Sequence, residues 1–217
     1  MIARRTMLGG GLALMVPGLA RAVPQSMPST RQLSFEVWRG SRKLGTHDLV
    51  FHPRADGFTV EVAVDIAFRV GPVTLYRYTH HAMERWAHGQ VAELTTQTDD
   101  NGTHYHVTGR REGNGLMIQP TAGAPYAAPA DALPATHWNV HELEGAWINT
   151  QSGEVIRPRV TPQSPAIVQT ATSSPLRVRR YALSGPVKLD LWYDETQTWA
   201  GLSFVKGGAE VRYARRP

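Results

Sequence analysis

The run FTVEVAVDIAFRV, residues 58–70, alternates apolar and polar positions without a break. Phe58, Val60, Val62, Val64, Ile66, Phe68 and Val70 fall on one side of an extended chain, and Thr59, Glu61, Ala63, Asp65, Ala67 and Arg69 on the other. That period of two belongs to a β-strand, whose side chains point alternately to opposite faces. The pattern predicts further strands on either side. Leu33 to Arg39 and Leu44 to Phe51 flank the turn-like GSRK as a hairpin. Gly71-Pro72 ends the long run and VTLYRYT resumes it, while DDNG separates VAELTTQT from THYHVTGRR. Near the end, PVKLDLWY, TWAGLSFV and AEVRYA are divided by DETQ and KGG, which reads as a three-stranded meander. No segment carries a long helical period. The expected fold is all-β, a curved antiparallel sheet closing into a barrel or half-barrel.

One stretch interrupts the strands. Pro120 to Pro134 is rich in Ala and Pro and reads as a long irregular loop. Asn139, followed three residues later by Glu142, resembles a helix start, so Val140 to Trp147 is expected to form one short helix with Leu143 and Trp147 facing the sheet. Residues 33–217 then make a single β domain, with 23–32 as a flexible lead-in.

The first 22 residues stand apart. Arg4 and Arg5 precede a short, glycine-rich apolar run, Met7 to Leu19, and Ala20-Arg21-Ala22 places small residues where a signal peptidase cuts. The paired arginines, the modest hydrophobicity and Arg21 near the cut resemble a twin-arginine signal, although Met7-Leu8 departs from the usual Phe-Leu. Cleavage after Ala22 and a periplasmic location are the expectation.

Charge changes this picture little. Losing residues 1–22 leaves 20 basic against 18 acidic residues, a net of +2, so no nucleic-acid partner is implied. The chain has no cysteine, which excludes disulfides, thiol catalysis, thiolate metal sites and a lipid-modified N-terminus. Charges on several strands and the basic tail RYARRP argue against a membrane barrel, and no integral membrane protein is expected after cleavage.

The densest candidate chemistry lies in TLYRYTHHAMERWAHG, residues 74–89. On a helix, His80, His81, Glu84 and His88 would share one face and could hold a metal. Val73, Thr74, Tyr76, Tyr78 and Thr79 favour a strand instead. In a strand Tyr76, Tyr78, His80, Glu84 and Trp86 share one face, His81 points away and the cluster comes apart, unless a bulge near His81-Ala82 intervenes. His104 with His106, and His137 with His141, give two ligands each, too few for zinc. There is no G-x-S-x-G nucleophile elbow, FVKGG lacks the features of a phosphate loop, and Asp194-Glu195 reads as a solvated pair at a turn.

The order of FEVWRG, LGTH, YRYTHHAMERWAHGQVAEL, ATHWN, INTQSGEV and LDLWYDETQTWAGLSF resembles a family of exported bacterial proteins, family 6134 of the domains of unknown function. The resemblance runs from about Leu33 to Tyr213, and its most specific string is Tyr78, His80, Glu84, Trp86 and Gly89. It implies export and an all-β fold, and supplies no activity.

The resulting expectation is a periplasmic protein without catalysis or cofactor. Its concave apolar face would bind a lipid or other apolar small molecule, or an envelope protein, through Tyr76, Tyr78, His80, Glu84, Trp86 and Trp138. An envelope metal-binding protein or hydrolase using the His/Glu-rich strand is the alternative.

Overall fold

A computed structural model describes residues 27–217; the expected export signal and the first four residues of the lead-in lie outside the described residues. Seven strands follow one another from the start: β1 Gln32–Arg39, β2 Arg42–Arg54, β3 Gly57–Val70, β4 Val73–Ala87, β5 Gln90–Asp100, β6 Thr103–Glu112 and β7 Gly115–Gln119. Each pairs with the next in antiparallel register across a short turn. A second meander closes the chain: β12 Arg159–Gln169, β13 Pro175–Ser184, β14 Leu189–Tyr193, β15 Trp199–Lys206 and β16 Ala209–Arg215. Between them lies an insertion with four two-residue strands, β8 Tyr126–Ala127, β9 Leu133–Pro134, β10 Trp147–Ile148 and β11 Val155–Ile156.

The meanders merge where the first strand meets the last. β1 pairs β16, with Val37 opposite Tyr213, and the result is one thirteen-stranded antiparallel sheet running β12-β13-β14-β15-β16-β1-β2-β3-β4-β5-β6-β7-β8. Its ends, β12 and β8, are not hydrogen-bonded to each other, so the barrel does not close and the half-barrel is the form adopted. Both edges are blunted. β8 is only two residues long, and β12 carries Pro162 and Pro165, which have no N–H to offer a further strand.

Alternation along the strands decides what faces inward. In β3, Phe58, Val60, Val62 and Val64 are buried while Glu61, Ala63 and Asp65 are exposed. The row then fades, with Ile66 and Phe68 half-buried and Val70 exposed. The backbones of β2 and β3 approach closely at Gly45. A Cβ there would run into the Asp65 carbonyl of the neighbouring strand.

The insertion fills the concave side. Trp138, Ala146, Trp147 and Ile148 join Phe35, Leu49, Phe51, Phe58, Trp86, Leu94, Ile118 and Trp199 in one core. A small parallel-antiparallel patch, β11-β10-β9, gives this segment its backbone hydrogen bonds, as a buried irregular chain requires. Two sequence expectations are corrected here. Pro120 to Pro134 is not wholly irregular, since it contributes β8 and β9. Val140 to Trp147 is not a helix. Val140–Glu144 forms a single 3-10 turn, capped by the Asn139 side chain, and Trp147 belongs to β10. Gly145 interrupts the pattern, and its backbone lies against Asp131, leaving no room for another helical turn.

Candidate functional site

Strand β4 places Tyr76, Tyr78, His80, Glu84 and Trp86 on the concave face, as a period of two demands. His80, Glu84 and Trp86 are buried deep in the half-barrel, and Tyr76 and Tyr78 are half-buried near its end. His81 is exposed on the outer face, and His88 sits in the following turn with a φ of 51°. His80, His81, Glu84 and His88 therefore do not converge. The register shifts along this strand fall at Thr74–Tyr76 against β3 and at Arg85/Trp86 against β5, and not near His81-Ala82.

At the deep end Glu84 organises the plug. Its Oε2 accepts the indole N–H of Trp86 at 2.7 Å and that of Trp138 at 3.1 Å, and its Oε1 accepts the Thr136 hydroxyl at 2.5 Å. Burial raises the Glu84 carboxyl above its ordinary value; the three hydrogen bonds oppose the shift and nearby Glu142 reinforces it. Three donors aimed at a fully buried carboxyl leave no oxygen turned towards solvent. The group holds β4 to the insertion.

A second buried carboxyl stands beside it. Glu142 receives the ring Nδ1 of His137 at 2.8 Å and its backbone N–H at 3.2 Å, and lies 3.2 Å from the Tyr193 hydroxyl, which also reaches the His137 carbonyl at 2.9 Å. His137 adopts a φ of 67°, which lets backbone and ring serve the same carboxylate. Burial and the Glu142 charge push the Tyr193 phenol up.

A cross-strand row links four neighbouring strands: His47 on β2 faces Val64 on β3, which faces His80 on β4, which faces Thr98 on β5. His80 Nδ1 lies 2.7 Å from the Thr98 hydroxyl, while its Nε2 is buried without a partner. His47 has neither ring nitrogen satisfied and packs among Phe35, Trp199 and Tyr213. Burial lowers both imidazoles, with neighbouring histidines adding to it; His80 falls to about 4 and His47 well below its ordinary value.

Towards the open end the groups become polar and less covered. Tyr76 donates to Asp100 Oδ1 at 2.8 Å, Tyr78 donates to Gln151 at 3.3 Å, and the Gln151 amide donates to Asp100 at 3.3 Å. Ile66 and Phe68 lie beside them, half-buried. Burial raises the Tyr76 and Tyr78 phenols, so both stay neutral donors.

Five of the six sequence candidates thus line the concave face and Trp138 packs onto it from the insertion, in three groups. Glu84, Trp86 and Trp138 are joined by direct hydrogen bonds, His80 bonds β5, and Tyr76 with Tyr78 forms the rim. Glu142, His137, Thr136, Tyr193 and His47 escaped the sequence reading. In the sequence, Glu142 drew notice only as the third residue after Asn139 in a helix-start pattern, and His137 only as half of a pair too small for zinc. Asp194 also departs from expectation. It caps its turn through the N–H groups of Thr196 and Thr198 and pairs with Arg215 at 2.8 Å, so it is no solvated surface acid.

The sequence profile of a domain of unknown function, DUF6134, matches residues 35–216. The chain belongs to the DUF6134 family. No curated protein matches it. Among solved structures, the DUF6134 chain is similar to a beta-barrel-like protein of the domain of unknown function DUF1849 from Brucella abortus. The TM-score is 0.58 at 9% identity, over 85% of this chain and 94% of that one. Likeness at that identity shows a shared architecture and carries no activity.

Proposed function

We propose that this is a non-catalytic binding protein of the periplasm, which takes the apolar part of a small molecule such as a lipid at the half-open end of its concave face. An apolar segment of an envelope protein would use the same contacts. One observation carries the reading: the apolar row of β3 outruns the plug. Phe58 to Val64 are covered by the insertion and neighbouring strands, whereas Ile66 and Phe68, with Tyr76 and Tyr78 beside them, are only half-covered. Half-covered apolar groups next to a few fixed polar donors match the usual make-up of a small-molecule site. Ser/His/Asp geometry or a solvent-facing acid pair would have favoured chemistry, and Glu84 and Glu142 are instead both buried and hydrogen-bonded.

Native mass spectrometry of protein recovered from the periplasm tests this, together with titration of an apolar environment-sensitive dye into the wild type and into Phe68→Glu and Tyr78→Glu variants. A co-purifying apolar adduct, and dye binding weakened by both substitutions, is the expected result. No adduct, with dye binding indifferent to both substitutions, removes the reading.

A further inference from the structure

The β3–β4 hairpin is the longest in the molecule and outreaches its neighbours. Its last ladder partner on β2 is Gly45, opposite Ile66, and its last on β5 is Asp100, opposite Tyr78. Residues 67–77 have no strand-ladder partner outside the hairpin, although the Arg42 side chain of β2 reaches the Arg69 carbonyl and Asn101 exchanges hydrogen bonds with Arg77, so the ladder of the arm runs on past those of its neighbours. Its tip is apolar and bare: Val70 is 52% exposed, Val73 55% and Leu75 55%, around Gly71-Pro72. Val205, 72% exposed, stands at the same end, because β15 and β3 both run towards it.

A second observation adjoins the first. A cleft of about 360 Å³ beside the tip is lined by Arg42, Lys43, Leu44, Ala67, Arg69 and Gly71. The guanidiniums here are bound to carbonyls and an aromatic ring. Arg42 donates to the Arg69 carbonyl, Arg39 donates to the Gly207 carbonyl at 3.2 Å, and both arginines sit over the Phe68 ring at 5.2 and 5.5 Å. Nearby acids are committed elsewhere, Glu36 to Lys43 and Asp65 to Arg77. Among the described residues Arg39, Arg42, Arg69 and Lys206 have no carboxylate partner; Glu210 is the acid without an ion pair on their side of the tip, while Asp99 and Asp100, across the arm at the end of β5, accept hydrogen bonds from Gly102, Tyr76 and Gln151 and leave the β2–β3 side net positive.

We propose that this arm docks the protein on a bilayer containing anionic phospholipid, with Val70, Val73 and Leu75 entering the interface and Arg42 and Arg69 receiving headgroup phosphates. Bare aliphatic groups flanked on one side by positive charge match both layers of such a surface, apolar chains below and anionic phosphate above. A second copy of the chain would bring the same positive charges against these, and so fits the patch less well. Arg42 touches Phe68, which the concave-face reading also uses, but the inference needs no bound ligand and its readout at position 73 is separate from dye binding in the cavity.

The absence of cysteine makes the test direct. Full-length chains with Val73→Cys or, at the opposite end, Asn114→Cys carry one polarity-sensitive fluorophore each. They are mixed with vesicles of phosphatidylglycerol and phosphatidylethanolamine, or of phosphatidylcholine alone. The label at 73 should brighten and shift to the blue on the anionic vesicles, fading as salt rises, while the label at 114 stays unchanged. Adding Arg42→Glu with Arg69→Glu, or Leu75→Asp alone, should weaken partitioning at least tenfold with an unaltered near-ultraviolet circular dichroism spectrum. Equal response of both labels, equal response to both vesicle types, or indifference to the charge reversal and to Leu75→Asp would overturn the proposal. So would a response at 73 that grows with protein concentration in the absence of vesicles, which would mark the tip as a contact between copies.

Discussion

Trp138 stands edge-on to Trp86, with ring centroids 5.2 Å apart at 77°, and both indoles donate to the same oxygen of Glu84. Trp138 lies 54 residues beyond Glu84, so this junction fastens the insertion to the sheet. Phe51 and Phe58 complete the cage, at 5.5 and 5.6 Å from the Trp138 ring. Such aromatic packing contributes beyond its area of contact.

The junction predicts how Glu84 responds to substitution. Glu84→Gln keeps a carbonyl oxygen for the two indoles and offers an amide to Thr136, so the fold should survive. Glu84→Ala leaves two buried N–H donors unpaired, at about 1–3 kcal/mol each, and should destabilise severely. The sign of the pH effect follows from the raised carboxyl. A protonated Glu84 contributes fully below the unfolded value of 4.5, and that contribution is lost as pH rises through the higher folded value. Glutamine is neutral throughout. In urea melts, Glu84→Gln should therefore gain on the wild type steadily from pH 4.5 upwards. A constant difference across that range would refute the assignment.

Removing the other side of the junction should be costlier. Trp138→Ala opens a cavity between the insertion and β2, β3 and β4, and loss of a buried Trp side chain costs about 3–5 kcal/mol. Denaturant melts should show that loss, and an apolar dye should bind the vacated space. A variant as stable as the wild type would mean that the insertion is held by other contacts.

His47 gives the opposite pH dependence. Its folded value lies well below 6.5, so its contribution is complete above 6.5 and is lost progressively as pH falls below it. His80 adds to the same trend down to about 4. His47→Phe removes two unsatisfied nitrogens from an aromatic nest of Phe35, Trp199 and Tyr213. It should be neutral or stabilising at pH 7, and should flatten the slope of stability between pH 6.5 and 5 by up to about 1.4 kcal/mol per pH unit. An unchanged slope would show that His47 is protonated in the fold.

The export signal proposed for residues 1–22 invites a separate test. Replacing Arg4 and Arg5 together with Lys keeps the charge but alters the pair that the twin-arginine receptor reads. Processing to the shorter form should stop, as seen on an immunoblot of cell fractions. Normal accumulation in the periplasm would assign the chain to the general secretory route.

How much was legible from sequence depends on how local the cause is. Strand β3 and the two-face division of β4 were readable because alternation is a local signal, and Tyr78, His80, Glu84 and Trp86 fell on the expected face. The open edge between β12 and β8 was not, since closure depends on how far the whole sheet curls. Nor was the Glu142 pocket. Its environment comes from His137, five residues away, and from Tyr193, on a strand 51 residues later. A spacing of three from Asn139 to Glu142 satisfied the pattern of a capped helix, while burial beneath the sheet turned Glu142 towards His137 instead.

Register along β3 supplies the last prediction. Val64 is buried in the middle of the cross-strand row between His47 and His80, and Asp65, next along, points outward to Arg77 at 2.8 Å. Val64→Asp would put an unpaired charge between two imidazoles that burial keeps neutral, and its desolvation should cost several kcal/mol. Some of that loss should return in acid, where the new carboxyl is protonated. Asp65→Val breaks one exposed ion pair, and such pairs contribute about 0–1 kcal/mol. Valine also favours the extended backbone, so the net change at 65 should be small. Urea midpoints of the two variants therefore separate widely at pH 7. Equal losses at the two positions would mean that β3 does not present one apolar face to the core, and the row from His47 to Thr98 would have to be redrawn.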